Sequence, residues 1–220
     1  TTIVYQSIFA PRLAAVRDHL PNLRHLIQIP DDSGEALLPG AVEWEAFLAA
    51  ESAEPLDLPY TADDLYVLYT GGTTGMPKGV LWRHEDVYYN GLGGNIPGFD
   101  RIASLDQLRE HVALGLGGRA LVALPFMHGA GQWTAFNAFH RGGTVILPVE
   151  TRHLDPHEVW RTVECHRPEQ IMIVGDAFAR PLLAALEAHR YDVSSVRVVT
   201  STAAVLSKTV KDELMAHLPD

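Results

Sequence analysis

The chain has 220 residues, of which 47% are apolar and 20% charged, and a formal charge of −10. That apolar content can bury a sizeable core, and the acidic balance argues against nucleic-acid binding through bulk electrostatics. A single cysteine, Cys165, excludes a disulfide framework and suits a reducing cytoplasm, and no apolar run reaches the roughly 18 residues of a membrane-spanning helix.

In chain order, the pattern predicts a strand at residues 3–5, a helix near 11–20, a strand at 25–29 and an exposed loop across 31–40. From Asp57 onward, strand-like and helix-like segments alternate. Residues 65–69 read as a buried strand between Asp63-Asp64 and Gly71-Gly72, followed by an apolar stretch at 80–82, a helix over 84–90 and a glycine-rich loop over 91–100. A short helix is expected at 105–112, a buried strand at 120–124, and a helix at 130–140 that stops at Gly142-Gly143. A strand at 144–147 leads to a punctuated helix start, where Asp155 can cap, Pro156 suits the first turn, and Glu158 stands three residues on. That helix ends before Pro168; then come a strand at 171–174, a helix at 176–190 carrying Pro181, a strand at 196–200, and a last helix capped by Ser207 and running to Leu218. Such alternation implies an α/β fold with a largely parallel sheet flanked by helices on both faces. Residues 1–56 form a leading strand-and-helix portion and 57–220 the βαβ portion. Both ends fall in or beside regular structure, so the chain is expected to continue in both directions.

One segment carries the chemistry. Residues 69–80, YTGGTTGMPKGV, follow the strand at 65–69 and hold four glycines, three threonines and one lysine. Glycines let the backbone turn and let a bulky anion approach the amides; threonine hydroxyls add donors and Lys78 adds a full positive charge. The result is a cradle suited to a polyphosphate. It is not a Walker A loop: Lys78 is followed by Gly79 rather than Ser or Thr, and an apolar, strand-like stretch follows it where that motif needs a helix. A bare glycine-rich hairpin is the bland alternative, but a hairpin needs only two or three turn residues.

This loop resembles the phosphate-binding signature of the adenylate-forming superfamily, YTSGTTGxPKG, over Tyr69 to Gly79, with Gly71 where serine is usual. Two further segments match in order. PFMHGAGQW (125–133) is similar to the stretch whose histidine lies beside the acyl pocket. VVTSTAAVLS (198–207) is similar to the segment usually written SGGAPLS that packs on adenine, with Thr202, Ala203 and Val205 replacing Gly, Gly and Pro. Within the superfamily, YTGGTTGMPKGV, YNGLGGNIPG, MHGAGQW and VGDAFARPL look most like actinobacterial fatty-acid and sterol side-chain acyl-CoA synthetases.

The resemblance implies part of a large N-terminal AMP-binding domain, with the C-terminal domain absent and the fragment unable to complete catalysis. It implies ATP with Mg2+, CoA as co-substrate, and a small carboxylic acid, fatty or sterol side-chain, as the partner molecules. Thr70, Gly71, Gly72, Thr73, Thr74, Gly75, Lys78 and Gly79 would hold the phosphates, with Lys78, Thr74 and His128 closest to the chemistry. Ser201, Thr202, Ala203, Ala204 and Val205 would flank the adenine. His128, Gly131, Trp133, Gly175, Asp176 and Phe178 would shape the acyl pocket. No metal site is expected in the chain itself: a helix start separates His153 from His157, and Cys165 and His166 have no second cysteine beside them. Cys165 is expected to be a buried small hydrophobe. His128 as a strand-end histidine and Trp133 as core packing are the plain structural readings of those two residues. A carrier-protein-loading adenylation domain and a non-catalytic ATP-binding module are the functional alternatives. Homo-oligomerisation is left open by the sequence.

Overall fold

A computed structural model describes residues 1–54, 56–71, 75–150 and 153–219. Two compact units divide the chain, Thr1–Pro59 and Tyr60–Asp220.

In the first unit, β1 (Thr2–Gln6), β2 (His25–Ile29) and β3 (Ala41–Glu43) form a parallel sheet in that order. Tyr5, Ala10, Leu13 and Leu26 make its small core. The buried Gln28 is satisfied by the Tyr5 hydroxyl, which donates to its Oε1 (2.7 Å), and by donating to Ser7 Oγ (3.0 Å). The helix expected at 11–20 is α1 (Ala10–Val16) followed by a 3-10 turn, Arg17–His19. Sequence reading missed β3 and the helix after it, α2 (Trp44–Ala50). The cap of α2 is Glu43, whose carboxylate accepts from the Ala46 amide (3.0 Å), and glutamate is not a usual start signal.

The second unit opens with β4 (Leu65–Thr70) and β5 (Lys78–Arg83), an antiparallel hairpin in which Thr70 pairs with Lys78 and Tyr69 with Gly79. The expectation of a buried strand at 65–69 is corrected here. Leu65 and Tyr69 are 54% and 65% exposed, because only one face of the two-stranded hairpin has a neighbour; Tyr66 and Leu68 on that face are half-buried. Two helices follow, α3 (His84–Asn90) and α4 (Leu105–Ala113).

The remaining elements alternate as expected: β6 (Arg119–Val122), α5 (Gly129–His140), β7 (Thr144–Ile146), α6 (Pro156–His166), β8 (Gln170–Ile173), α7 (Gly175–Ala188), β9 (Val198–Ser201) and α8 (Lys208–Met215). The four strands make a parallel sheet in the order β7-β6-β8-β9. Leu121, Ile146, Ile171 and Ile173 send their side chains to one face, where Trp160 and Val163 of α6, Leu182 of α7, and Val210 and Leu214 of α8 complete the main core. Helix α5 packs on β6 and β7 and places its small buried residues, Ala135 and Ala138, outside that core, covering the other face.

Asp155 caps α6 as expected, its Oδ1 accepting from the amides of His157 (2.9 Å) and Glu158 (3.1 Å). Ser207 sits at the start of α8, but its hydroxyl makes no cap bond. Cys165 is exposed rather than buried, on the solvent side of α6 opposite Val159 and Val163. Among the described residues, no helix is long and apolar enough to cross a membrane.

Candidate functional site: a glycine-rich hairpin beside a switch point

Strand β6 lies between β7 and β8, so the chain leaves it toward one side and returns on the other. In parallel α/β sheets, ligands bind outside the carboxyl ends of the strands at such a switch. Three segments converge on this edge: the 123–128 segment after β6, the Val174–Gly175 turn after β8, and the 202–206 turn after β9. All three were singled out in the sequence.

The hairpin is held against the first turn of α5. Leu68 lies so close to Gly129 that a Cβ there would approach its Cδ2 to 2.6 Å. The Tyr66 hydroxyl donates to Gln132, and Trp82 packs edge-on against Trp133 with ring centroids 5.2 Å apart. The described residues on either side of the bend are uncrowded. Among the described residues, nothing lies within 4 Å of where a Cβ would stand on Gly71 or Gly75; Gly75 has φ +149°, and Met76 is 85% exposed. Thr70 and Lys78 face one another at its mouth, where the Thr70 hydroxyl donates to the Lys78 carbonyl (3.4 Å) and both side chains reach solvent. Gly72, Thr73 and Thr74 lie outside the described residues.

His128 is exposed and occupies the cap position of α5 in extended conformation, without a side-chain cap bond. Gly131 is buried with its α-carbon against the Pro125 carbonyl, 2.9 Å from where a Cβ would stand. The predicted pocket residues divide. Trp133 lines a recess of about 350 Å³ between α5 and β8, with Asn90, Gly91, Thr134, Asn137, Arg141 and Met172. Phe178 lines a separate hollow of about 260 Å³ with Leu124, Phe126, Leu147 and Leu154. Gly175 and Asp176 face the 202–206 turn instead: Gly175 has φ +45°, and a Cβ on it would meet the Val205 carbonyl oxygen at 2.5 Å.

Sequence reading missed two features. A hollow of about 800 Å³ opens among α3, α4 and α5, with Tyr66, Tyr88, Leu108 and Phe136 in its walls. Of the residues lining the smaller recess, Trp133 and Arg141 have buried nitrogens, Nε1 and Nε, without a hydrogen-bond partner among the described residues. The spacing of residues 133, 137 and 141, one helical turn apart, is the signal that could have marked that wall. No group of three or more His, Cys, Asp or Glu that could hold a metal forms among the described residues.

Ala203 holds φ +63°, the left-handed region, at a position where glycine is usual in the SGGAPLS-type segment. Left-handed backbone costs a residue with a Cβ about 1–2 kcal/mol, against roughly 0.5–1 kcal/mol of extra chain entropy for glycine. Ala203→Gly is therefore expected to stabilise the protein by about 0.5–1 kcal/mol, read as a raised urea midpoint. A lowered midpoint would mean that the turn does not hold this conformation.

The family model described as "AMP-binding enzyme" matches residues 4–220. A medium-chain acyl-CoA ligase, Mig, of Mycobacterium avium is 46% identical over 100% of this chain and 40% of its own length. A 3-oxocholest-4-en-26-oate–CoA ligase of Rhodococcus rhodochrous is 36% identical over 99% of this chain and 40% of its own. The chain thus spans about two fifths of the length of these relatives. Among solved structures, the anthranilate CoA ligase AuaEII in complex with anthranoyl-AMP superimposes with a TM-score of 0.75 at 19% identity, over 99% of this chain and 39% of that one, a likeness of fold.

Proposed function

The chain belongs to the AMP-binding enzyme family, and on that premise we propose that it supplies the phosphate-binding and acyl-binding portion of an ATP-dependent acyl-CoA synthetase. The observation that carries the reading is the β4–β5 hairpin, in which Thr70 and Lys78 are paired and exposed at the base of the glycine- and threonine-rich segment, docked on the first turn of the helix that His128 precedes.

In this reading a carboxylate oxygen of the acid attacks the α-phosphorus of ATP. A P–O bond forms, the bond to the bridging oxygen breaks, and pyrophosphate leaves with that electron pair. The CoA thiol then attacks the acyl carbon, gives up its proton, and expels AMP. The first step brings one anion onto another, so positioning and charge neutralisation lower its barrier. Lys78, Thr70, Thr73, Thr74 and the loop amides hold the β- and γ-phosphates and stabilise the departing pyrophosphate. His128 orients the carboxylate where the hairpin meets α5. Ser201, Thr202, Ala203, Ala204 and Val205 flank the adenine. Mg2+ would arrive with ATP as part of the substrate and neutralise part of its charge.

The acyl chain is assigned to the recess along α5. It begins little more than one turn past His128 and is also lined by Gly91, Gly117 and Met172. ATP, CoA and the single reduced cysteine fit a cytoplasmic setting.

The test is a panel of acids, from acetate through medium- and long-chain to sterol side-chain acids, offered to the complete enzyme. Acid-dependent pyrophosphate exchange and release of free acyl-CoA are expected. Exchange without acyl-CoA would favour carrier-protein loading, and no exchange with any acid would leave a non-catalytic nucleotide-binding module.

A further inference from the structure

Asp176 is read from the sequence as a pocket residue, yet its polar atoms point elsewhere. Its backbone amide donates to the Val205 carbonyl (3.0 Å), its Oδ1 accepts from the Ser207 amide (2.7 Å), and its Oδ2 accepts from Arg180 (2.9 Å). One residue earlier, the Gly175 amide donates to Ser201 Oγ (2.9 Å). The first two residues of α7 therefore tether the turn after β9 at both ends, across 26 to 31 positions of sequence. Between the tethers, Ala203 sits at φ +63° and Val205 is 81% exposed. A turn that stores backbone strain and lacks side-chain cover relaxes unless its surroundings hold it. The Ser207 amide, with Arg180 beside it, holds the Asp176 carboxyl below the usual carboxylate range, so the carboxylate is the form that makes the tether.

We propose that Asp176 is a positioning residue for nucleotide binding: its carboxylate fixes the 202–206 turn in the strained shape that presents a flat backbone edge to the adenine. This rests on the ligase reading above, which places the base against that turn. Asp176 touches neither ATP nor acid; it acts through Val205 and Ser207. An uncharged asparagine keeps an oxygen acceptor for the Ser207 amide, whereas alanine does not.

The experiment compares Asp176→Ala, Asp176→Asn and Ser207→Pro in the complete enzyme by pyrophosphate exchange. Proline at 207 removes the donated N–H while fitting the φ of −65° found there. Loss of one hydrogen bond to a charged group should raise the KM for ATP by about tenfold in Asp176→Ala and Ser207→Pro. The KM for the acid should stay within about twofold, and Asp176→Asn should recover most of the ATP affinity. If Asp176→Ala does not fold, Ser207→Pro carries the test alone. An unshifted KM for ATP, a rise confined to the acid, or asparagine behaving like alanine would overturn the positioning role while leaving the ligase reading intact. Absence of exchange in the unmutated enzyme would overturn both.

Discussion

Lys78→Ala is expected to cut acid-dependent adenylate formation in the complete enzyme by about 10²–10³-fold, the usual cost of removing one preorganised stabiliser of developing charge. Lys78 is the first residue of β5 and pairs with Thr70 through its backbone, which the substitution leaves intact. Its side chain is exposed, so stability should move by less than about 0.5 kcal/mol. It is also the only Lys or Arg in residues 69–80, in a protein of net charge −10, so no bulk field compensates for its loss. Pyrophosphate exchange read beside a urea melt separates the two effects. Near-normal exchange in this variant would mean that the triphosphate lies elsewhere.

The second large effect concerns the scaffold. Trp160→Ala is expected to destabilise the protein by about 3–5 kcal/mol, the range for truncating a fully buried tryptophan. Trp160 is 1% exposed, sits on α6 within the main core, and donates its indole N–H to the Leu182 carbonyl of α7 at 2.8 Å. The side chain thus fastens α6 to the helix whose first residues carry Gly175 and Asp176. Trp160→Phe keeps most of the apolar bulk and loses the donor, so about 1–2 kcal/mol is expected for it. Urea unfolding followed by circular dichroism checks both. A loss under about 1 kcal/mol for the alanine variant would show that α6 and α7 are not joined through this residue.

These two residues differ in how far they could be read before the fold was known. Lys78 stands in a dense run of glycines and threonines whose chemistry is local, and the strand–bend–strand form of that run was legible from the apolar residues on either side. Trp160 is one aromatic among many, and nothing around it in sequence names Leu182 as its partner. The alternation from β6 to α8 was equally legible, because buried strands and amphipathic helices impose different periods on a chain. Asp155-Pro156 marked the start of α6 by the same local logic. The misses share a cause as well. Leu65 and Tyr69 are as apolar as any core strand, yet the hairpin leaves them exposed, since composition does not say how many neighbours a strand will have. Cys165 was misjudged because its place on the solvent side of α6 follows from which stripe of that helix meets the sheet.

By itself, then, the sequence determined the strand–bend–strand segment rich in glycine and threonine, the alternating α/β plan and the family resemblance, since each is written in contiguous residues whose chemistry acts over a few positions. Only the tertiary structure decided the strand order that creates the switch point, the parting of Trp133 and Phe178 into separate hollows, and the hydrogen bonds that join Asp176 to the turn after β9. Those outcomes depend on contacts between residues tens of positions apart, set by how the helices pack across the sheet, and a local pattern carries no record of them.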